Sequence, residues 1–132
     1  MNSRIKFRLL FFFMLLNSIG YTQIVQTIPF SWSNDTLNGE FFEKTAMHLP
    51  VRFSNDTTTY YFQLDTGLEE SYFYSGNLMK QETLDQLKKA DSIQTSIGFL
   101  HLKQLEGQKI VNENGRIYCG TIGSDYFDTK II

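Results

Sequence analysis

The chain has 132 residues, 15% of them aromatic and 20% charged, which suits one folded domain and excludes an intrinsically disordered protein. The formal net charge is −2, and three of the 12 basic residues (Arg4, Lys6, Arg8) stand in an apolar leader, so the remainder carries 9 basic and 14 acidic residues, net −5, with no basic cluster of the kind nucleic acid requires. One cysteine, Cys119, excludes an internal disulfide, and with two histidines far away in sequence it forms no zinc-ligand pattern, so no metal and no cofactor is expected.

In chain order, residues 1–22 read as a secretory signal peptide. The basic start precedes the apolar run Leu9–Leu16, and Gly20 and Thr22 supply small residues at positions −3 and −1 for cleavage before Gln23. The run is shorter than the ~20 apolar residues of a spanning helix, so the expectation is export to a periplasmic or extracellular location without a stable membrane anchor. Residues 23–132 then read as a single strand-rich domain. Asn38-Gly39 is a hairpin signal. Met47, Leu49, Val51 and Phe53 alternate with His48, Pro50 and Arg52, predicting a half-buried strand, and Ser54-Asn55-Asp56-Thr57 has turn chemistry. A second strand follows over Tyr60–Leu64, completing a hairpin. Residues 79–90 carry the helical pattern, with Leu84 and Leu87 three apart among charges. Strand-like spacing returns over Ile93–Leu105 through Ile97, Phe99 and Leu102, interrupted by Gly98. Asn114-Gly115, between Lys109–Val111 and Arg116–Cys119, is the strongest hairpin signal in the chain. Cys119 reads as a small buried hydrophobe, and His48 and His101 as partly buried structural residues.

Asp65-Thr66-Gly67 follows directly on the apolar strand Tyr60–Leu64. A carboxylate at a strand end beside a core is uncommon, and a glycine two residues on allows close backbone approach and an N–H to the acid. The triplet alone also suits an ordinary turn. Asp125, ahead of Tyr126-Phe127-Asp128, reads as a helix N-cap with Asp128 at N3 rather than as a second acid of the same kind. Asp85 and Asp91 read as solvated charge on or just beyond the helix.

The run from Phe62 to Ser71 (FQLDTGLEES) resembles the active-site segment of retropepsin-like aspartic proteases, and Gly120-Thr121-Ile122-Gly123-Ser124-Asp125-Tyr126-Phe127 is similar to that family's second signature, a hydrophobic-Gly strand crossing behind the catalytic loop and then a short helix. With the hairpin over 47–64, the resemblance covers about residues 45–132. It implies a mostly β fold, a closed barrel-like lobe with one or two short helices. It implies that Asp65 is a catalytic carboxylate, that Thr66 hydrogen-bonds across a pair of such loops, that Gly67 helps to hold the acid, and that Glu69 and Glu70 line the substrate cleft. Because the chain has one D-T-G, the second Asp would come from a second copy in a homodimer or from a second lobe. The resemblance further implies an endopeptidase acting on a peptide or protein substrate. Family members run on into a closing strand, so the apolar end at Ile131-Ile132 reads as that of a C-terminally truncated domain. A non-catalytic peptide-binding module on the same fold is the alternative, and a β domain with an accidental D-T-G turn is a third reading. In that third reading Asp65 would be exposed on a turn, away from the Ile122-Gly123 strand.

Overall fold

The computed structural model describes residues 26–128. The leader, its cleavage point and the end at Ile131-Ile132 lie outside the described residues. Among the described residues nine strands and two helices follow in the order β1 (Ser31–Leu37), β2 (Glu40–Val51), β3 (Tyr60–Leu64), β4 (Ser71–Ser75), α1 (Gln81–Lys89), β5 (Ile93–Thr95), β6 (Gly98–Leu100), β7 (Leu102–Lys109), β8 (Val111–Glu113), β9 (Arg116–Ile122) and α2 (Asp125–Asp128).

Local chemistry accounts for the hairpins. Asn38 and Gly39 take φ of 53° and 82°, and Asn114 and Gly115 take 52° and 78°. Two successive positive φ values define the turn whose twist matches that of the flanking strands. The first closes β1 on β2 and the second closes β8 on β9, both antiparallel. β2 then pairs β3 antiparallel through Leu49↔Phe62 and Val51↔Tyr60, the hairpin expected from the alternating pattern. β2 begins seven residues earlier than the apolar alternation, at Glu40, because the Asn38-Gly39 turn commits both of its flanks to pairing.

The main sheet runs β1-β2-β3-β9-β4-β7, with β8 on β9. β9 is parallel to β3 and antiparallel to β4, and therefore lies between two strands that are consecutive in sequence. The fold is mostly β with two short helices, as expected. Among the described residues the sheet does not close into the expected barrel. β1 and β7 end the path, and β5 and β6 pair with each other as a separate ribbon, tied to residues 52–54 by the bridge Phe53↔Thr95 and by hydrogen bonds of Ser96 with Arg52 and of Ser54 with Gln94 O.

The core lies on one face of this sheet, where Val51, Tyr60, Phe62, Phe73, Cys119 and Ile122 are all at 0–1% exposure. Burying side chains of that size contributes on the order of 2 kcal/mol each. α1 covers them with Leu84 and Leu87. Its nine residues have no side-chain cap, and so short a helix is marginal alone, so this apolar stripe and Lys88 and Lys89 at its C-terminal end hold it. The helix starts at Gln81 rather than 79 because Met79 is drawn into the core ahead of it. The expected strand over Ile93–Leu105 divides into β5, β6 and the start of β7, since Gly98 (φ 108°) reverses the chain. Ile97, Leu100 and Leu102 are consequently buried, while Phe99 turns outward.

A buried carboxylate fastens the β2–β3 turn to α1. Asp56, 4% exposed, accepts hydrogen bonds from the Tyr60 hydroxyl (2.6 Å), the Thr83 hydroxyl (3.1 Å) and the Thr58 N–H (2.9 Å), and pairs with Lys80 Nζ at 3.0 Å. Burial raises the carboxyl's pKa, but the bonds from Tyr60, Thr58 and Lys80 outweigh it and hold the group well below the usual carboxylate range. Burial and the same bond push the Tyr60 phenol up to about 12.

Candidate functional site

The order β3-β9-β4 sets the geometry around Asp65. β3 and β4 are joined by residues 65–70, and with β9 between them this connection must pass over the C-terminal end of β9. Backbone hydrogen bonds fix the crossing: Asp65 N–H donates to Ile122 O (2.9 Å), Ser124 N–H to Leu68 O (2.8 Å) and Asp125 N–H to Glu69 O (3.2 Å). Asp65 is therefore set against the Ile122-Gly123 strand, not on a free turn.

Two glycines make the close approach possible. A Cβ on Gly123 would stand 2.4 Å from Glu70 O and 2.9 Å from Leu68 O. One on Gly120 would stand 2.2 Å from Tyr72 O and 2.4 Å from the Phe62 ring. Neither position has a positive φ, so the requirement is for space and not for an unusual backbone angle.

Within the loop, Leu68 N–H donates to Asp65 O at 3.1 Å, closing a turn, and Gly67 N–H donates to Asp65 Oδ1 at 3.0 Å. A Cβ on Gly67 would crowd that same oxygen at 3.2 Å. Asp65 is half-buried, and Thr66 and Gly67 are exposed at the crown of the loop. The site thus presents one carboxylate, oriented by a backbone donor, beside a solvent-facing threonine.

The other acids of the segment divide. Glu69 is exposed. Glu70 forms an ion pair with Lys103 and accepts the Tyr72 hydroxyl at 3.1 Å, so its carboxylate is engaged by β4 and β7. The Lys103 ammonium, and after it the Tyr72 hydroxyl, lower its pKa. Glu70 lines a cleft of about 670 Å³ with Ser71, Leu87, His101, Lys103 and Asp125.

Asp125 does not act as the expected N-cap. It is the first helical residue of α2, Ser124 O takes the Phe127 N–H (2.9 Å), and the Asp125 carboxylate is turned toward β4. There Ser71 Oγ donates to Asp125 Oδ1 at 2.6 Å while accepting the Gly123 N–H at 3.0 Å. Ser71 is 1% exposed. It joins the far end of the Asp65 loop to β9 and α2, a role that the residue types at positions 71 and 125, 54 apart, do not announce.

Of the two histidines, His48 is buried with its ring 4.7 Å from that of Tyr118, and its Nδ1 has no hydrogen-bond partner among the described residues. Burial, and then the nearby Arg116, lower its pKa. His101 is exposed rather than partly buried, with Nδ1 2.9 Å from Asp91 O. Cys119 is fully buried, and burial raises its thiol pKa well above the ordinary value. Among the described residues, no three His, Cys, Asp or Glu side chains converge as a metal site would need. The chain matches no protein-family model, no curated protein and no solved structure.

Proposed function

We propose that this protein is an exported, retropepsin-like aspartic endopeptidase, with Asp65 supplying one carboxylate of a paired site and Asp65 of a second copy supplying the other. The observation that carries the reading is the seating of Asp65: a carboxylate held by the Gly67 N–H, on a loop bonded across the end of β9. Two carboxylates brought this close cannot both ionise, so they share one proton. The ionised member takes a proton from the water held between them as that water attacks the peptide carbonyl carbon. The protonated member donates to the carbonyl oxygen. Thr66, exposed beside each acid, bonds to its counterpart across the pair, and Glu69 faces the peptide.

The test is Asp65→Asn against the parent on an unstructured protein substrate from acidic to neutral pH. The parent cleaves and the variant does not, because no ionisable group remains to act as base and then acid. Equal cleavage by both rejects the mechanism. A parent dimer that binds the substrate without cleaving it replaces the peptidase with the peptide-binding module.

A further inference from the structure

Among the described residues, four of the eight large exposed hydrophobic side chains (Trp32, Leu37, Phe41 and Phe42) fall in one hairpin, β1–β2, and a fifth, Phe30, stands just before it. Register locates that hairpin relative to Asp65. β2 pairs β3 through His48↔Gln63 and Leu49↔Phe62, so Asp65 lies level with Ala46 when the register is carried two residues further. From Ala46 back to Glu40, β2 runs on for six residues paired only with β1. At ~3.3 Å per residue the arm projects roughly 20 Å past the Asp65 loop. It is a braced projection: where the register shifts between Ser33 and Asp35, the Asn34 side chain accepts the Lys44 N–H (2.9 Å) and the Thr45 hydroxyl donates to Ser33 O (3.1 Å).

Phe41 and Phe42 are adjacent in a strand and stand on opposite faces of the arm, at 61% and 41% exposure. A ribbon with an aromatic on each face and no core of its own is built to be covered. Its outer edge is also unguarded: β1 carries one charge, Asp35, whereas β7, at the other end of the sheet, carries Lys103, Glu106 and Lys109 and bends at Gly107 (φ 84°).

We infer that the β1–β2 arm docks a second copy of this chain, each arm reaching past its own Asp65 onto the other copy. The area suits such a partner. Aromatic side chains expose about 200 Å² when free, and Leu37, Phe41 and Phe42 on the arm, with Trp32 at its foot, each roughly half exposed, give about 400 Å² of apolar surface per copy. With the arm's backbone and polar rim added, that approaches the ~800 Å² per partner of a standard interface. The choice of a second copy rests on the peptidase reading, in which one chain supplies one acid and the other must arrive on the side toward which the arm projects.

The test is sedimentation of the parent, a Leu37→Ser/Phe41→Ser/Phe42→Ser variant and a Phe99→Ser control, each checked for a parental circular dichroism spectrum. All four residues are exposed, so folding does not depend on them. The expected result is a dimeric parent and control, with the arm variant's dimerisation weakened at least about tenfold. A monomeric parent, or an arm variant that dimerises as tightly as the parent, overturns the inference. Cleavage is read separately: a dimer dissolved by the arm substitutions but inactive on peptides supports the interface and removes the peptidase reading.

Discussion

Gly123→Ala tests the crossing of the 65–70 loop over β9 by a single methyl group. The added carbon would lie 2.4 Å from Glu70 O, 2.7 Å from Glu70 C and 2.9 Å from Leu68 O. These are backbone atoms, so no side-chain rotation relieves the overlap. Reaching an ordinary contact requires the loop to lift by about 1 Å, and overpacking of this kind costs ~1–3 kcal/mol. The lift also stretches the Ser124 N–H···O Leu68 and Asp125 N–H···O Glu69 bonds, each worth about 1 kcal/mol. A loss of around 3 kcal/mol follows, which in a domain of about 100 residues lowers Tm by roughly 15 °C. Thermal unfolding gives the total, and hydrogen exchange at Ser124 and Asp125 localises it. Gly39→Ala is the contrast: it meets no atom within 4 Å but has φ of 82°, so it costs only the ~1–2 kcal/mol of backbone strain that it adds and leaves both amides protected. A Gly123→Ala protein within about 0.5 kcal/mol of the parent, with both amides still protected, would falsify the close-packed crossing.

Asp56→Asn should cost about 3 kcal/mol at neutral pH, because an amide cannot accept all the donors that converge on the buried carboxylate. The folded carboxyl's pKa lies below that of the unfolded chain, ~3.9. Its contribution is therefore complete above that value and is lost as pH falls toward the lower folded one. Urea titrations of parent and variant should differ by a constant amount from pH 7 to about 5 and converge in stronger acid; a constant gap down to pH 2 rejects the assignment. For the Ser71 bridge, a double-mutant cycle with Ser71→Ala and Asp125→Ala should return a coupling of at least ~1 kcal/mol, and additivity would show that the short contact contributes nothing.

What the sequence makes legible is local. Asn114-Gly115 and Asn38-Gly39 announce their turns because few other residue pairs tolerate two successive positive φ values. Leu84 and Leu87 announce a helix because three residues bring them onto one face. Asp65 is legible as a candidate because an acid at the end of an apolar strand requires a reason. The partners that hold it are legible only in part. That the strand ending at Ile122-Gly123 crosses behind the loop follows from the resemblance and from no local pattern, and nothing announces that Lys103 finds Glu70 across 33 positions. Asp125 misleads because capping and a long-range hydrogen bond call for the same residue type, and only the placement of Ser71 separates them. The arm is hidden for a different reason: its apolar side chains have no core to face, so they follow no period that would mark them as one surface.

The insertion of β9 between β3 and β4 also orders events in time. Tyr60 pairs with Ile117, 57 residues later, and such non-local contacts are slow to close. Until that closure occurs, the Asp65 N–H has no Ile122 carbonyl to meet and the connection after β3 has nothing to cross. During synthesis the carboxylate is made about midway along the chain, yet its surroundings are assembled only after Ile122 has left the ribosome and threaded into the gap. An incompletely folded chain therefore carries Asp65 without its setting, and whatever chemistry the residue performs is deferred until the strand that completes the sheet has docked.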